Sequence, residues 1–195
     1  MKWSGQRLPR LEDPSLIKGD GKYIADLCKG TKIVNFIRSP FPNGVIKSID
    51  APKDINLITA DDILDINPIS PKLFRFNYKA VEQPILADKQ VHFIGQPIAA
   101  VFEDSRAKAE DNSEKVFIDI EPLDSVTDLI EAINKQSRSI HKIAPDNVLV
   151  DGNFKNEKCK LFFKSAYKVV DFEIRSKRQN ALPLETRGIC CHFDR

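Results

Sequence analysis

The sequence predicts an α+β fold (mixed α/β), because apolar strand-like segments alternate with a polar helical one. Residues 98–102 are continuously apolar, which is typical of a strand covered on both faces. Ser105 stands where a helix N-cap belongs, and the polar helix that it opens is predicted to end by Val116. Residues 117–122 carry the next strand, which stops at Pro122. Together these segments predict a strand–helix–strand unit.

The first 27 residues are polar and rich in turn-forming residues. Within them, the run Gly19-Asp20-Gly21-Lys22-Tyr23 invites comparison with a phosphate-binding glycine loop. Such a loop needs a strand before it and a helix after it, so that backbone amides and the helix dipole converge on phosphate. We interpret the run as a turn, because a strand at residues 22–25 is predicted to follow it and a third glycine is missing.

Two strands are predicted within residues 32–50, joined around Ser39-Pro40 and Pro42-Asn43-Gly44. Asn-Gly is the strongest short-range turn signal in the chain. Beyond these strands, Thr59 is predicted to cap a short helix. The acids Asp61-Asp62 in its first turn support this prediction, since they face the positive end of the helix.

The remaining elements are predicted from shorter signals. Residues 64–80 are punctuated by proline and asparagine and are predicted to be irregular. Residues 91–94 predict a short strand that ends in a turn at Gly95-Gln96-Pro97. Residues 127–134 predict a two-turn helix, because their aliphatic residues recur at helical spacing. Pro145-Asp146 marks a further turn, where we place a domain boundary.

Composition excludes several classes of function. The chain has 195 residues and a net charge of only +2, with lysine and arginine scattered between acids, so nucleic-acid binding is not expected. No apolar run approaches the roughly 18 residues of a membrane span. The start MKWSGQRLPR is basic but lacks a following apolar region, so it is not a secretory signal. A cytoplasmic location is therefore predicted.

Cysteine, histidine and serine provide no strong catalytic pattern. The cysteines are Cys28, Cys159, Cys190 and Cys191. None belongs to a C-x-x-C pair, so we predict buried free thiols rather than a metal or iron–sulfur site. The histidines, distant in sequence, are His92, His141 and His192. Because no second ligand lies at helical or hairpin spacing, no metal site is expected from them. Ser39 and Ser105 lie outside any Gly-x-Ser-x-Gly elbow, so nucleophilic hydrolysis is not expected either.

Residues 84–123 carry the pattern dkV-F-GQPiAaV-E-s-AkAeD, followed by V-IdiEpL. This pattern resembles the a/b hammerhead domain of the large, molybdopterin-binding subunit of xanthine dehydrogenases, aldehyde oxidases and aerobic carbon monoxide dehydrogenases. Arg38-Ser39-Pro40 matches the RSP of that domain, and residues 58–62 match its iTaaDl. Asn112 and Ser113 stand where relatives usually have alanines. They are weaker helix formers by about a few tenths of a kcal/mol each, so a less stable helix is expected.

The C-terminal part resembles the opening of the molybdopterin-binding domain. The matching residues are Asp151-Gly152, Phe163-x-x-Ala166, a predicted strand at 168–174 and Pro183-Leu184-Glu185-Thr186-Arg187-Gly188. Leu184-Glu185-Thr186 is closest to the carbon monoxide dehydrogenase-like branch. The resemblance implies an entry peptide at 1–14, a hammerhead domain at 15–140 and the incomplete start of a molybdopterin-binding domain at 147–195. The chain is expected to be truncated after a last strand near residues 188–193.

The resemblance implies the N-terminal part of a molybdenum hydroxylase large subunit, an oxidoreductase acting on an aldehyde, a heterocycle or carbon monoxide. The implied cofactor of the complete enzyme is molybdopterin. The implied partners are the remainder of the large subunit and iron–sulfur and flavin subunits, with neither nucleic acid nor membrane. The motifs that hold the cofactor and act as base in the family are not found in this chain. No catalytic, cofactor-binding or metal-binding residue is therefore carried over, and the chain alone is expected to be inactive.

Several alternatives remain open at this point. Glu185 and Arg187 either border a substrate channel or form a solvated or interdomain ion pair, and we favour the ion pair. Gly95-Gln96-Pro97 either lines a cofactor funnel in an assembled enzyme or is a tight turn between strands, and we favour the turn. The whole chain is either an enzyme part, a non-catalytic hammerhead scaffold that pairs with other chains, or a gene remnant without function.

Overall fold

The strands of the described chain form two three-stranded sheets in a computed structural model that describes residues 4–74, 77–177, 179–183 and 185–194. The strands are β1 (Ile33–Arg38), β2 (Gly44–Asp50), β3 (Leu57–Ile58), β4 (Gln90–Val91), β5 (Pro97–Glu103) and β6 (Phe117–Pro122). The helices are α1 (Asp13–Ile17), α2 (Ile24–Leu27), a 3₁₀ helix (Ala60–Ile63), α3 (Arg106–Glu114), α4 (Leu129–Ala132) and α5 (Glu157–Ser165). The predicted mixture of helices and strands is therefore confirmed.

The chain divides into two compact units. The larger unit is Lys32–Val170 and contains both sheets. The smaller unit consists of the described parts of Met1–Thr31 and Asp171–Arg195. The predicted domain boundaries at 15–140 and 147–195 stay predictions.

β5 is the central strand of the first sheet, whose order is β1–β5–β3. It pairs antiparallel with β1, from Ile33 opposite Glu103 to Arg38 opposite Pro97, and antiparallel with β3. Its four consecutive residues 98–101 are all buried. A strand that is paired on both edges and buried on both faces has consecutive apolar residues instead of alternating polar and apolar ones. The continuous apolar run therefore predicted this strand correctly.

Asn112 and Ser113, which lower the helix propensity of α3, hydrogen-bond this helix to the sheet. Ser105 caps the helix by accepting a hydrogen bond from Lys108 N at 3.4 Å, as predicted. Ser113 Oγ accepts a hydrogen bond from Asn35 Nδ2 on β1 at 2.8 Å. Asn112 Nδ2 donates to Glu103 Oε1 on β5 at 2.9 Å. Tertiary hydrogen bonds of about 1 kcal/mol each are large enough to offset the lost propensity.

β2 is the central strand of the second sheet, whose order is β4–β2–β6. Its pairing with β6 is antiparallel and shifts register between Ile46 and Ser48. Since β1 and β2 belong to different sheets, the Asn43-Gly44 turn connects two sheets rather than closing a hairpin. Two buried clusters form the core of this unit: Ala87, Val91, Ile98 and Ile120, and Ile55, Val101 and Val116.

Two other strand predictions need correction. The strand predicted at 22–25 is wrong, and the strand predicted at 91–94 is too long. The strand predicted at 22–25 is instead the helix α2, because the Asp26 carboxylate accepts a hydrogen bond from Tyr23 N at 3.1 Å and caps its first turn. The strand predicted at 91–94 is limited to Gln90–Val91. It ends there because a side chain, and not a neighbouring strand, takes the backbone N–H of His92.

The C-terminal strand predictions are also wrong. Residues 168–174 and 188–193 form no strand and are exposed. Strand propensity expresses packing on a pleated surface, and these residues are not packed on one. A helix, α5, was missed at Glu157–Ser165, where Asn156 Oδ1 accepts a cap hydrogen bond from Lys158 N at 3.0 Å. The helix predicted at 127–134 is the shorter α4.

The cysteine prediction is corrected in part. All four thiols are free, as predicted. Cys28 is half-buried, and Cys159, Cys190 and Cys191 are exposed. The expectation that the thiols are buried is therefore wrong for these three cysteines, which lie in exposed segments of the chain. No helix in the part of the chain described by the structure is long and apolar enough to cross a membrane.

Limited trypsin digestion of the full chain is expected to cut first at Lys155, Lys158 or Lys160. The preceding segment is held by backbone and side-chain bonds, since Lys79 N donates to Leu149 O at 2.9 Å and Lys79 pairs with Asp146 at 2.8 Å. Residues 151–160 are exposed, and exposed segments are cleaved first. Mass spectrometry of the earliest product checks this. A first cut inside 33–122 would contradict the account.

Candidate functional site

Two turns meet at the ends of strands β1 and β5. We name the set Arg38-Ser39-Pro40 and Gly95-Gln96-Pro97 the RSP–GQP junction. Gly95 N donates to Ser39 O at 2.8 Å, and Ser39 N donates to Gln96 O at 2.9 Å. Arg38 Nη1 donates to Gly95 O at 2.9 Å. The two motifs that carried the resemblance are therefore one hydrogen-bonded unit.

Ser39 lies at the centre of the junction and is only 2% exposed. Its Oγ donates to Phe41 O at 2.9 Å and accepts from Phe41 N at 3.1 Å. This arrangement is a local turn that satisfies the hydroxyl. The hydroxyl holds the chain after β1 in place.

Gln96 is the other buried polar residue of the junction, at 2% exposed. Its Oε1 accepts from His92 N at 2.7 Å, and its backbone N donates to Phe93 O at 3.2 Å. Pro97 O accepts from Ala87 N at 2.8 Å. These groups bond to the backbone of the chain itself. The geometry therefore favours the interpretation of Gly95-Gln96-Pro97 as a structural turn, and the cofactor-funnel alternative stays a prediction.

Replacing Gly95 by valine is expected to lower the free energy of unfolding by about 1–3 kcal/mol. Gly95 has a φ of +86°, and an added Cβ would meet no atom within 4 Å. The cost is therefore backbone strain and not a clash. Gly95→Asn is the matched control, because asparagine tolerates this conformation better than a β-branched residue. Chemical denaturation of both variants checks the prediction, and an unchanged midpoint in Gly95→Val would show that the turn is not required.

His92 and His141 lie beside the junction, with ring centroids 5.3 Å apart and planes tilted by 46°. Burial lowers the pKa of both rings, and the charges of His141 and Arg138 lower the pKa of His92 further. The loop that carries His141 is fixed by Asn147, whose Nδ2 donates to Ala132 O and Arg138 O, both at 2.9 Å. Sequence analysis missed this pair, because two distant segments form it.

Lowering the pH below about 6.5 is expected to destabilise the fold through these rings. Their pKa values are lower in the folded chain than in the unfolded one, so the unfolded state binds protons first. Stability is therefore present above the unfolded pKa and lost as the pH falls through the folded pKa. In His141→Gln, the pKa of His92 should rise. NMR titration of the imidazole signals measures this, and a His92 pKa that does not move in the variant would contradict the coupling.

The described residues contain no group of three or more His, Cys, Asp or Glu side chains placed to hold a metal ion. The polar atoms of Ser39 and the amide oxygen of Gln96 already bond to the chain itself. Ser39 and the amide oxygen of Gln96 are therefore engaged within the fold, and the expectation that no residue of this chain holds the molybdenum cofactor stays a prediction. His192 is exposed, and its Nε2 lies 4.0 Å from Asp194 Oδ1.

The candidate pair Glu185 and Arg187 is exposed. Glu185 Oε1 accepts a hydrogen bond from Ile24 N at 3.0 Å, which links it to the start of α2 within the smaller unit. Leu184, which contributed to the branch assignment, lies outside the described residues. A role of Glu185 and Arg187 at a substrate channel stays a prediction.

The chain is similar to known proteins over most of its length. Residues 18–124 match the family described as aldehyde oxidase and xanthine dehydrogenase, a/b hammerhead domain. The chain is 31% identical over 198 residues to the nicotine 6-hydroxylase large subunit of Paenarthrobacter nicotinovorans, covering 97% of this chain and 24% of that one.

Solved structures of related enzymes also match this chain. Quinoline 2-oxidoreductase from Pseudomonas putida 86 matches with a TM-score of 0.62 and 32% identity, over 69% of this chain and 18% of that chain. The Cu,Mo-CO dehydrogenase in its carbon monoxide-reduced state matches with a TM-score of 0.57 and 30% identity, over 68% and 17%. The chain thus spans about a quarter of the length of the curated relative that it matches.

Proposed function

The chain belongs to the aldehyde oxidase and xanthine dehydrogenase a/b hammerhead family, and from this premise we propose that it is the N-terminal part of a molybdenum hydroxylase large subunit. In that subunit it acts as a structural and interface element. The complete enzyme oxidises an aldehyde, a heterocycle or carbon monoxide. The substrate is selected by parts of the large subunit other than the residues described above.

The observation that carries this proposal is the RSP–GQP junction. Ser39 and Gln96 are the buried polar side chains of the described chain, and their polar atoms bond to the backbone of Phe41 and His92. Such satisfied buried polar groups favour one arrangement of the turns. A rigid junction of this kind supports a role in positioning the hammerhead domain and does not supply a reacting group.

Exposed apolar side chains on β1 support the interface role. Val34 and Phe36 are 53% and 43% exposed, and the Arg38 guanidinium lies 5.4 Å from the centre of the Phe36 ring. Contiguous exposed apolar residues with an arginine at their rim are typical of protein interfaces. We assign this face to the remainder of the large subunit.

By resemblance, the remainder of the subunit holds the molybdenum cofactor, which supplies the oxidation chemistry when it is bound. The further partners are iron–sulfur and flavin subunits, which accept the electrons. A net charge of +2 favours no nucleic-acid partner. The cytoplasmic location stays a prediction.

The test begins with the DNA adjacent to the gene and ends with co-expression. We expect the coding sequence for the remainder of the large subunit to follow that of these residues, in the same or an adjacent reading frame, and the two parts produced as separate chains to co-purify at equal stoichiometry. Val34→Ser with Phe36→Ser should reduce co-purification at least several-fold. Leu64→Ser is the matched control, because Leu64 is 80% exposed and lies off β1. If the genome has no such coding sequence, or the two parts purify separately, the proposal is wrong and the free-standing scaffold is favoured.

A further inference from the structure

The two sequence segments of the smaller unit are held together at helix α2. Glu185 Oε1 accepts a hydrogen bond from Ile24 N at 3.0 Å. Three residues later, Gly188 packs so closely on Ile24 that an added Cβ would lie 2.8 Å from Ile24 Cγ2. The tail is therefore anchored at Ile24, the first residue of α2.

Two cysteines, one from each segment, lie close to this anchor in sequence, since Cys28 follows Ile24 by one helical turn and Cys190 comes directly after Ile189. Cys28 is the C-cap of α2 and is half-buried. The Cys190 side chain lies near the Cys28 thiol, and this proximity, followed by the burial of the thiol, raises the pKa of Cys28. Both thiols are free. The fourth cysteine, Cys159, belongs to the larger unit.

We propose that Cys28 and Cys190 are a reversible modification site, which hydrogen peroxide converts to an intramolecular disulfide. The inference stands on the hydrogen bond of Glu185 to Ile24, on the close approach of Gly188 to the same residue and on the place of Cys28 at the C-cap of the helix that Ile24 begins. It is independent of the proposed enzyme function. Disulfides in reducing compartments are usually transient or redox-sensing, which fits a pair that is free in the resting chain.

The oxidation proceeds in two steps. Cys190 is exposed and meets the peroxide first. Its sulfur attacks one peroxide oxygen, the O–O bond breaks, and a sulfenic acid and one water form. The sulfur of Cys28 then attacks the sulfenic sulfur, the S–O bond breaks, and a second water leaves as the S–S bond forms. Two thiols lose two electrons and two protons in all, and one peroxide becomes two waters.

The bond has a mechanical consequence for the tail. Without it, the tail of the smaller unit is exposed and is tied to α2 by the carboxylate of Glu185, which lies at the surface. A covalent link at Cys190 would hold residues 185–190 against α2 even when that hydrogen bond opens. We therefore expect the oxidised chain to lose the tail to trypsin several-fold more slowly than the reduced chain.

The test treats the full chain with hydrogen peroxide, blocks the remaining thiols by alkylation and maps the peptides by mass spectrometry. The expected main product is the peptide of Cys28 linked to that of Cys190, which dithiothreitol separates. Cys190→Ser should abolish it, whereas Cys191→Ser and Cys159→Ser should keep it. A main product linking Cys190 to Cys191, a link between two chains, or alkylated Cys28 after oxidation would each overturn the proposal.

Discussion

Replacing Ile98 by alanine is expected to lower the free energy of unfolding by about 2–5 kcal/mol. Ile98 is completely buried in β5 and is the largest side chain among the fully buried ones of the described chain. It packs in the cluster with Ala87, Val91 and Ile120. The variant loses the transfer free energy of the removed carbons and leaves a cavity between the two sheets, which strands cannot close without breaking their pairing.

Two control variants sharpen this measurement. Ile98→Val removes a single methylene and should cost about 0.5–1.5 kcal/mol. Ile94→Ala, at a position that is 67% exposed, should change stability by no more than about 0.5 kcal/mol. Denaturant titration of the three variants gives the comparison. If Ile98→Ala costs no more than Ile94→Ala, the assignment of β5 to the core is wrong.

Replacing Gly44 by valine is expected to lower the free energy of unfolding by about 3 kcal/mol, which is at the upper end of the destabilisation caused by overpacking. An added Cβ at Gly44 would lie 2.6 Å from Ile120 Cγ2 and 3.0 Å from Glu121 O. Gly44 begins β2 opposite Pro122, so the clash is with the paired strand. The cause differs from that at Gly95, where space is free and the backbone conformation sets the cost.

A double-mutant cycle separates the two atoms that Gly44 meets. Ile120→Ala removes the methyl group at 2.6 Å but leaves the carbonyl of Glu121. The combination of Gly44→Ala with Ile120→Ala should therefore be less destabilised than the sum of the single variants, because neighbouring changes couple. Equilibrium unfolding of the four proteins measures the coupling. Strict additivity would show that Gly44 does not approach Ile120.

Local sequence signals correctly predicted a fully buried strand and a capped helix start. The apolar run of β5 and the Ser105 cap of α3 were both correct, since burial and capping leave direct marks on composition. The strand signals at 168–174 and 188–193 were misleading. Their aliphatic and aromatic residues have high strand propensity, but a strand requires a partner, and propensity carries no information on whether one is present.

The sequence predicted the motifs of the site but not the contacts between them. RSP and GQP were both recognised, but their union depends on hydrogen bonds between Ser39 and the turn at Gly95 and Gln96. The ring contact of His92 with His141 and the proximity of Cys28 and Cys190 were not predicted at all. Contacts between segments distant in the chain have no fixed spacing, so no local pattern reveals them.

Molybdenum analysis of the purified chain tests the central claim most directly, which is that these residues form a structural part of an enzyme and do not themselves hold its cofactor. The full chain is produced alone in cells supplied with molybdate, and its metal content is measured by mass spectrometry against protein concentration. The account predicts far less than one molybdenum per chain and no oxidation of aldehydes or purines. One molybdenum bound per chain would contradict it.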